Sequence, residues 1–175
     1  VGRAFEEIFQ ESPGRIIIAA FASNIHRIQQ AIDTAARYGR KVVVSGRSMR
    51  ENIRIARQLG YLRVPPGVLA DIEELPELYP AQVCMLTTGS QGEPLSALTR
   101  MAYGDHKQVE IRPGDSVILS SKFIPGNELS ITRIINQLYR RGAEVHYEKI
   151  SEIHVSGHAS REELAMMLTL VKPEY

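Results

Sequence analysis

The chain has 175 residues, of which 43% are hydrophobic and 23% charged, and its formal net charge is +1. This composition is typical of a globular domain and excludes disordered, fibrous and strongly basic nucleic-acid-binding proteins. No apolar run approaches the roughly 20 residues of a membrane span, so we expect no membrane partner. The single cysteine, Cys84, lies in an apolar run, which predicts a core residue and a reducing, cytoplasmic compartment.

Short β-branched runs alternate with stretches of helical spacing along the chain. Residues 15–21 predict the first strand, and residues 25–35 predict a helix between a capping Asn24 and Gly39. The unit repeats, with strands expected at 41–44, 83–86 and 116–119 and helices at 49–59, 95–102 and 129–139. A last strand is expected at 143–147. The fold class is therefore α/β, a three-layer α/β/α domain with a mainly parallel sheet.

Charge is distributed unevenly along the chain. Residues 23–63 carry nine basic and two acidic side chains, 9 − 2 = +7, whereas residues 64–95 carry five acidic and no basic ones. Residues 64–80 are also proline-bearing, which predicts a covering loop with a short helix at 71–74. The basic segment has two interpretations, a surface that meets a polyanion or the solvated faces of ordinary helices.

The loops that follow the predicted strands are rich in Ser, Gly, Asn and Arg. Open α/β sheets bind ligands at the carboxyl ends of their strands, and a helix start offers free backbone N–H groups to an anion. We therefore predict phosphate contacts from these loops, by Ser23, Arg27, Arg47, Ser48, Gly89, Ser90 and Gln91. In any single loop the same residues are ordinary caps and turns. No nucleotide-binding P-loop is present in the sequence, because Gly92 is not followed by Lys and Ser or Thr.

His154 and His158 are four residues apart, but the Glu of a zinc-protease helix is missing between them. The segment instead predicts a strand end turning into a loop. Ser160 and Glu163 then form a predicted capping box, which sets His158 just before a helix. Structural and catalytic roles both stay open for this histidine on spacing alone.

Five segments, taken in order, resemble the bacterial ribonuclease J family. They are residues 21–30 (FASNIHRIQQ), 46–49 (GRSM), 88–94 (TGSQGEP), 120–121 (SS) with 124–128 (IPGNE), and 154–158 (HVSGH). The resemblance implies that residues 1–150 are a β-CASP domain, which this family inserts into a metallo-β-lactamase fold. It implies that residues 151–175 begin the return segment to that fold. We therefore expect a piece of a longer protein.

What this resemblance implies about function is a zinc-dependent ribonuclease of the cytoplasm. Such an enzyme acts in RNA processing and decay, as a 5′-to-3′ exonuclease and in some members as an endonuclease. Its partners would be single-stranded RNA, the metallo-β-lactamase domain absent from this chain, and further copies in a homo-oligomer. Two zinc ions would be bound mainly by residues outside the chain, so we expect no metal ligand here and no activity from this piece alone.

The resemblance also assigns roles to individual residues. His158 matches the motif histidine that stabilises or protonates the reacting phosphate, and it is the expected catalytic residue. Ser156 and Gly157 match adjoining phosphate-contacting positions, and His154 is grouped with them. Two other functions stay open from the sequence: a stand-alone domain that acts on a small phosphorylated metabolite, and an interaction module for oligomer assembly.

Overall fold

The structure, a computed structural model, describes residues 2–147 and 159–173. Its six strands are β1 (Ile16–Ala19), β2 (Lys41–Val44), β3 (Leu69–Ala70), β4 (Val83–Thr87), β5 (Ser116–Leu119) and β6 (Glu144–His146). They form one sheet in the order β3-β2-β4-β1-β5-β6, and every neighbouring pair is parallel. The predicted parallel α/β sheet is confirmed.

Helices connect most of the strands. They are α1 (Gly2–Glu11), α2 (Ile25–Arg37), α3 (Arg47–Gln58), α4 (Ala97–Tyr103), α5 (Glu128–Arg140) and α6 (Arg161–Val171). Two short 3-10 helices, Ile72–Glu77 and Pro80–Gln82, lie between β3 and β4.

The central strand β1 shows why helices cover the sheet on both sides. All four of its side chains are buried, and successive side chains of a strand point to opposite faces. Ile16 and Ile18 join one core with α1, α2 and α3, whereas Ile17 and Ala19 join a second core with α4 and α5. The result is the predicted three-layer α/β/α arrangement.

The amino ends of β1, β2 and β4 are joined by the buried side chain of Arg40, which is 5% exposed. Its guanidinium donates to the backbone carbonyls of Ser12 and Gly14 at 2.7 Å each, and to that of Val83 at 3.3 Å. The ring of Phe9 lies beside it, with the centroid 5.7 Å from Cζ. Arg40 is thus a structural residue with several acceptors supplied by the protein.

A second arginine holds the amino ends of β1 and β5. Arg15 Nε donates to Asp115 Oδ1 at 2.8 Å, and Arg15 Nη2 donates to Asp115 Oδ2 at 2.5 Å. Asp115 also accepts the backbone N–H of Arg112 at 2.8 Å. The ion pair is bidentate, which is the strong form of an arginine–carboxylate interaction, and both side chains are largely buried.

Helix α1 is not among the elements expected from the sequence. It packs on the sheet through Phe5, Ile8 and Phe9, which recur at helical spacing and are all buried. No helix was predicted for this segment, although its amphipathic period is present in the sequence.

Several element boundaries differ from the expected ones by a few residues. Helix α3 begins at Arg47 rather than at residue 49, and α4 begins at Ala97 because Ser96 caps it, which leaves Leu95 88% exposed. The short helix in the acidic loop is a 3-10 helix at Ile72–Glu77, and β3 before it was not expected. Such shifts arise because caps, not apolar spacing, fix where a helix starts.

Cys84 is fully buried in β4, as the sequence predicts for a core residue. Its burial raises the pKa of the thiol to about 12, and the nearby positive charge of Arg40 opposes this shift only in part. The thiol is therefore neutral at physiological pH and unsuited to nucleophilic chemistry.

Helix α6 begins with the predicted capping box. Ser160 Oγ accepts from Glu163 N at 3.2 Å, and Glu163 Oε2 accepts from Ser160 N at 2.7 Å. The apolar side chains of this helix are more than half exposed, namely Leu164, Met166, Met167, Leu168, Leu170 and Val171. Within the described residues, no helix is both long and apolar enough to cross a membrane.

Candidate functional site

The carboxyl ends of β2, β4, β1 and β5 lie side by side, so the loops that follow these strands share one edge of the sheet. Backbone hydrogen bonds join the strand ends there. Ser45 N donates to Leu86 O, and Ser120 N donates to Ala19 O, each at 2.8 Å. The predicted loops therefore do meet, at the edge where open α/β sheets bind ligands. We call it the carboxyl edge.

The loop after β1 carries Ser23 and leads to Arg27. Ser23 is exposed, and Asn24 caps α2 by accepting the backbone N–H of Arg27 at 3.0 Å. The Arg27 side chain is 5% exposed, and its Nη1 donates to Ser120 Oγ at 2.5 Å. Burial lowers the pKa of Arg27. Arg27 thus links α2 to the loop after β5, and its expected phosphate contact stays a prediction.

The loop after β2 ends at Gly46, which has a φ of 105°. A Cβ at this position would also come within 3.0 Å of Thr88 Oγ1, so both backbone and space require glycine. Gly46 caps α3 without a side-chain hydrogen bond, which leaves the first N–H groups of the helix available at the carboxyl edge. Arg47 and Ser48, the first two residues of α3, are exposed there.

The loop after β4 is packed tightly. Gly89 has a φ of 114°, and a Cβ there would lie 2.3 Å from Ser96 Oγ. Ser90 is fully buried, and its hydroxyl has no hydrogen-bond partner among the described residues. These positions explain why the loop contains glycine and a small side chain, whereas the phosphate contacts expected from Gly89 and Ser90 stay predictions.

Gln91 connects the loops after β4 and β5. It is 4% exposed, and its Nε2 donates to Ser121 Oγ at 2.8 Å and to Lys122 O at 2.9 Å. Its Oε1 accepts from Ile124 N at 2.9 Å. The amide is thus engaged in bracing two loops against each other. Direct contact of Gln91 with a phosphate stays a prediction, and this geometry favours a supporting role.

The remaining predicted site residues lie outside the described residues. They are His154, Ser156, Gly157 and His158, so their placement relative to the carboxyl edge is not part of this structure. The nearest described position along the chain is Ser160, the cap of α6.

A large cleft of about 930 Å³ opens between the loops after β1, β2 and β4. Its lining includes Phe21, Arg47, Ser48, Leu95 and Arg100. The two arginines are exposed and form no ion pair with another described residue. Glu93 also lines the cleft, and its Oε2 accepts from the backbone N–H of Gln91 at 3.1 Å. The volume suits a ligand the size of a nucleotide.

A smaller cleft of about 210 Å³ adjoins it. We call it the cationic cleft and define it by Ser45, Arg47, Arg50, Arg100, His106 and Lys107. Gly46, Arg47 and Arg100 line both clefts. Sequence reasoning named Arg47 but missed Arg100, Lys107 and His106. The available signal for Arg100 was its place as the lone basic residue in the otherwise uncharged helix α4.

The contacts of His106 select one tautomer of its ring. Its Nδ1 accepts the backbone N–H groups of Gln108 at 3.3 Å and Val109 at 3.1 Å, and its Nε2 lies 3.1 Å from Ser45 Oγ. Burial, and after it the positive charge of Arg100, lowers the pKa of His106. The ring is therefore neutral near pH 7, with its proton on Nε2 directed at Ser45.

The described residues do not fit a zinc site. Residues 2–147 and 159–173 bring no three His, Cys, Asp or Glu side chains together in a way that could hold a metal ion. Structural zinc takes four such ligands and catalytic zinc at least three. The chemistry that this part of the chain can supply at the carboxyl edge is anion binding by arginines, hydroxyls and backbone N–H groups.

Comparison with protein families agrees with this architecture. Residues 13–138 match the family model described as ribonuclease J, beta-CASP domain. Residues 142–175 match the model described as a Zn-dependent metallo-hydrolase RNA specificity domain. Strand β6 falls in the second match although it pairs with β5, which falls in the first.

Curated relatives cover the whole chain. A ribonuclease J of Thermus thermophilus is 47% identical over 175 residues, one of Helicobacter pylori is 46% identical over 175 residues, and ribonuclease J 1 of Streptococcus pyogenes is 46% identical over 175 residues. The chain spans 30%, 25% and 31% of these relatives, respectively. With its parallel α/β sheet and the beta-CASP match over residues 13–138, the chain belongs to the ribonuclease J family.

Proposed function

We propose that this chain is the part of a ribonuclease J enzyme that holds single-stranded RNA by its backbone. The observation that carries the proposal is the carboxyl edge, where the large cleft is lined by Arg47 and Arg100 without ion-pair partners among the described residues. Relatives named ribonuclease J and a family match described as an RNA specificity domain support RNA as the ligand.

The loop residues predicted from the sequence divide into three groups in this proposal. Gly89 and Ser90 are buried in the loop after β4 and stay proposed phosphate contacts. Ser23, Arg47 and Ser48 are exposed at the carboxyl edge and are the proposed direct contacts. Arg27 and Gln91 are buried and join neighbouring loops, so they position the contacts. Charged donors and hydroxyls that meet phosphate oxygens hold an RNA strand in register without reading its sequence.

The reaction itself is proposed as hydrolysis of an RNA phosphodiester, from the 5′ end and internally, in RNA processing and decay. His158 is the proposed catalytic residue, with Ser156, Gly157 and His154 beside it along the chain. Zinc, as two ions, is proposed to be bound mainly by residues outside this chain, since the described residues do not form a metal site. Zinc would supply Lewis-acid chemistry, and this chain would hold the RNA and move a proton at His158.

The organisation of the whole protein is proposed from the same family membership. Residues 1–150 would be the β-CASP domain, and residues 151–175 would begin the return to a metallo-β-lactamase domain, which is the main partner. The chain alone would then neither bind catalytic zinc tightly nor cleave RNA. A homo-oligomer in the cytoplasm is the proposed state of the whole protein, and the buried free thiol of Cys84 is compatible with a reducing compartment.

RNA binding by the 175-residue chain tests the proposal. The chain should bind a fluorescent single-stranded oligoribonucleotide at low salt, and the affinity should fall as salt rises because phosphate contacts release counterions. Arg47→Gln should flatten the log–log salt dependence by about 0.7, the value for one contact on a single strand. Arg140→Gln is the control and should bind like the parent, because Arg140 is the last residue of α5 and lies at the end of that helix away from the carboxyl edge. Absence of RNA binding at low salt would contradict the proposal.

The catalytic role is tested in the full-length enzyme. His158→Ala should lower kcat by roughly 100- to 10,000-fold, the usual cost of losing a general acid or base. Zinc stoichiometry and the thermal midpoint should stay at the parent values. If activity is lost only together with zinc or with folding, His158 is a ligand or a structural residue and the proposed proton transfer is wrong.

A further inference from the structure

The cationic cleft brings four basic side chains together. Its lining includes Arg47, Arg50, Arg100 and Lys107, and no Asp or Glu among the described residues lines it. None of these four cations forms an ion pair with another described residue. Like charges held together raise the energy of the unliganded protein, and a bound anion relieves that repulsion.

Neutral donors also point to an anion in this cleft. Ser45 is 3% exposed, and the Nε2 proton of His106 is directed at its Oγ. Because His106 Nδ1 accepts two backbone N–H groups, Ser45 Oγ is the acceptor in this contact. The hydroxyl proton of Ser45 is then left to donate to a ligand. A buried serine used in this way is a donor that the protein positions in advance.

The volumes and linings of the two clefts indicate which part of a nucleotide each could hold. A volume of about 210 Å³ equals that of roughly seven waters, which is room for a phosphate group with some of its hydration. The adjoining large cleft has about 930 Å³ and apolar side chains, Phe21 and Leu95, in its lining. Gly46 and the first turn of α3 lie at the shared wall.

We propose that the cationic cleft binds one backbone phosphate of single-stranded RNA whose adjoining nucleoside occupies the large cleft. This inference rests on the proposed function, because it takes RNA as the ligand. It adds Ser45, Arg100, His106 and Lys107 to the residues of that function. The recognised chemistry is a tetrahedral oxyanion, which free phosphate shares. Continuity with a cleft that can hold a nucleoside favours the RNA backbone over free phosphate.

The test compares variants of the 175-residue chain by fluorescence anisotropy with a single-stranded oligoribonucleotide over a salt series. Arg100→Gln and Lys107→Gln should each weaken binding roughly 3- to 10-fold at low salt and flatten the log–log slope by about 0.7. Ser45→Ala should weaken binding and leave the slope unchanged, because it removes a neutral donor. Arg140→Gln is the matched control, and circular dichroism confirms that each variant folds.

The outcomes separate this site from the proposed function. If the parent binds RNA and the Arg100, Lys107 and Ser45 variants bind equally well, the cleft inference is wrong and the proposed function stands. If the parent does not bind RNA, the proposed function fails and the RNA ligand of the cleft fails with it. Inorganic phosphate then supplies a second measurement. Amide resonance shifts at Gly46 that vanish in Arg100→Gln would assign the cleft to free phosphate and overturn the RNA assignment.

Discussion

Both arginines at the amino edge of the sheet have acceptors within the protein, whereas the carboxyl edge combines the buried Arg27 with two exposed arginines that form no ion pair among the described residues. At the amino ends of the strands, Arg40 donates to three backbone carbonyls and Arg15 forms a paired ion bridge with Asp115. At the carboxyl edge, Arg47 and Arg100 are exposed and form no ion pair among the described residues. The role of an arginine in this fold therefore depends on whether the protein itself supplies its acceptors.

The same distinction divides the basic segment 23–63. Two of its arginines, Arg27 and Arg40, are buried, so they add no exposed charge. Arg37 pairs with Glu6 at 2.9 Å, and Arg54 pairs with Glu51 at 2.5 Å. The net charge of +7 read from the sequence is therefore distributed among interior, paired and unpaired side chains. Only the unpaired group, which includes Arg47 and Arg50, adds to a surface for an anion.

The largest expected effect on stability is at Arg40. Arg40→Met keeps much of the apolar stem and leaves the carbonyls of Ser12, Gly14 and Val83 without this donor. We expect the free energy of unfolding to fall by about 2–4 kcal/mol, measured by urea denaturation of the 175-residue chain. Arg140→Met, exposed on α5, is the control and should change it by less than about 0.5 kcal/mol. Equal free energies of unfolding for both variants would show that Arg40 does not stabilise the amino edge of the sheet.

Asp115→Asn should have a smaller effect of about 1–3 kcal/mol in the same assay. The amide retains the shape of the carboxylate but no longer balances the largely buried charge of Arg15. Arg15→Gln and the double variant complete a double-mutant cycle. A coupling energy near zero would show that the two side chains contribute independently and that the ion pair is not what holds β1 to β5.

Much of the fold is predictable from the sequence, because buried strands and amphipathic helices leave periodic patterns. β1, β2, β4, β5 and α2 all lie where apolar spacing and capping residues place them. The missed helix α1 has the same kind of pattern, with Phe5, Ile8 and Phe9 on one face. Strand β3 was missed because two residues are too few to show a period.

The site was only partly predictable for a different physical reason. Strand order brings the loops to one edge, and this follows from the α/β rhythm. Whether a polar residue in such a loop faces a ligand or another loop depends on tertiary packing, which spacing does not encode. Gln91 and Arg27 thus look like contacts in the sequence and are internal in the structure. Arg100 and Lys107 come from outside the recognised motifs and reach the cationic cleft through the fold.

The free energy of unfolding should depend on pH through the carboxyl edge, where His106 is partly buried beside Arg100. The pKa of His106 is lowered by its burial and then by Arg100, so the folded protein favours the neutral ring. Its contribution is fully present above the unfolded value of 6.5 and is lost as the pH falls through the lowered folded pKa. The unfolding free energy should therefore decline below about pH 6.5, and His106→Gln should decline less.

A parallel measurement on His146→Gln controls for the other partly buried histidine among the described residues. Burial lowers the pKa of His146, while Glu144 and Glu11 oppose the shift, so this residue contributes a decline of the same sign. If only the His146 variant shows a reduced pH dependence, the interpretation of the His106 environment is wrong.

The smallest expected effect on stability is at the arginines of the carboxyl edge. Arg47→Gln and Arg100→Gln should change the free energy of unfolding by less than about 0.5 kcal/mol, because exposed charges without a partner contribute little. A slight increase is the expected sign, since each substitution removes one of the mutually repelling cations of the cationic cleft. Urea denaturation beside Arg40→Met measures both edges under one condition. A loss at Arg100 as large as that at Arg40 would mean that Arg100, like the buried Arg27 at the same edge, holds the fold together. The unpaired charge would then be a structural requirement, and its availability to a phosphate would no longer follow from its lack of partners.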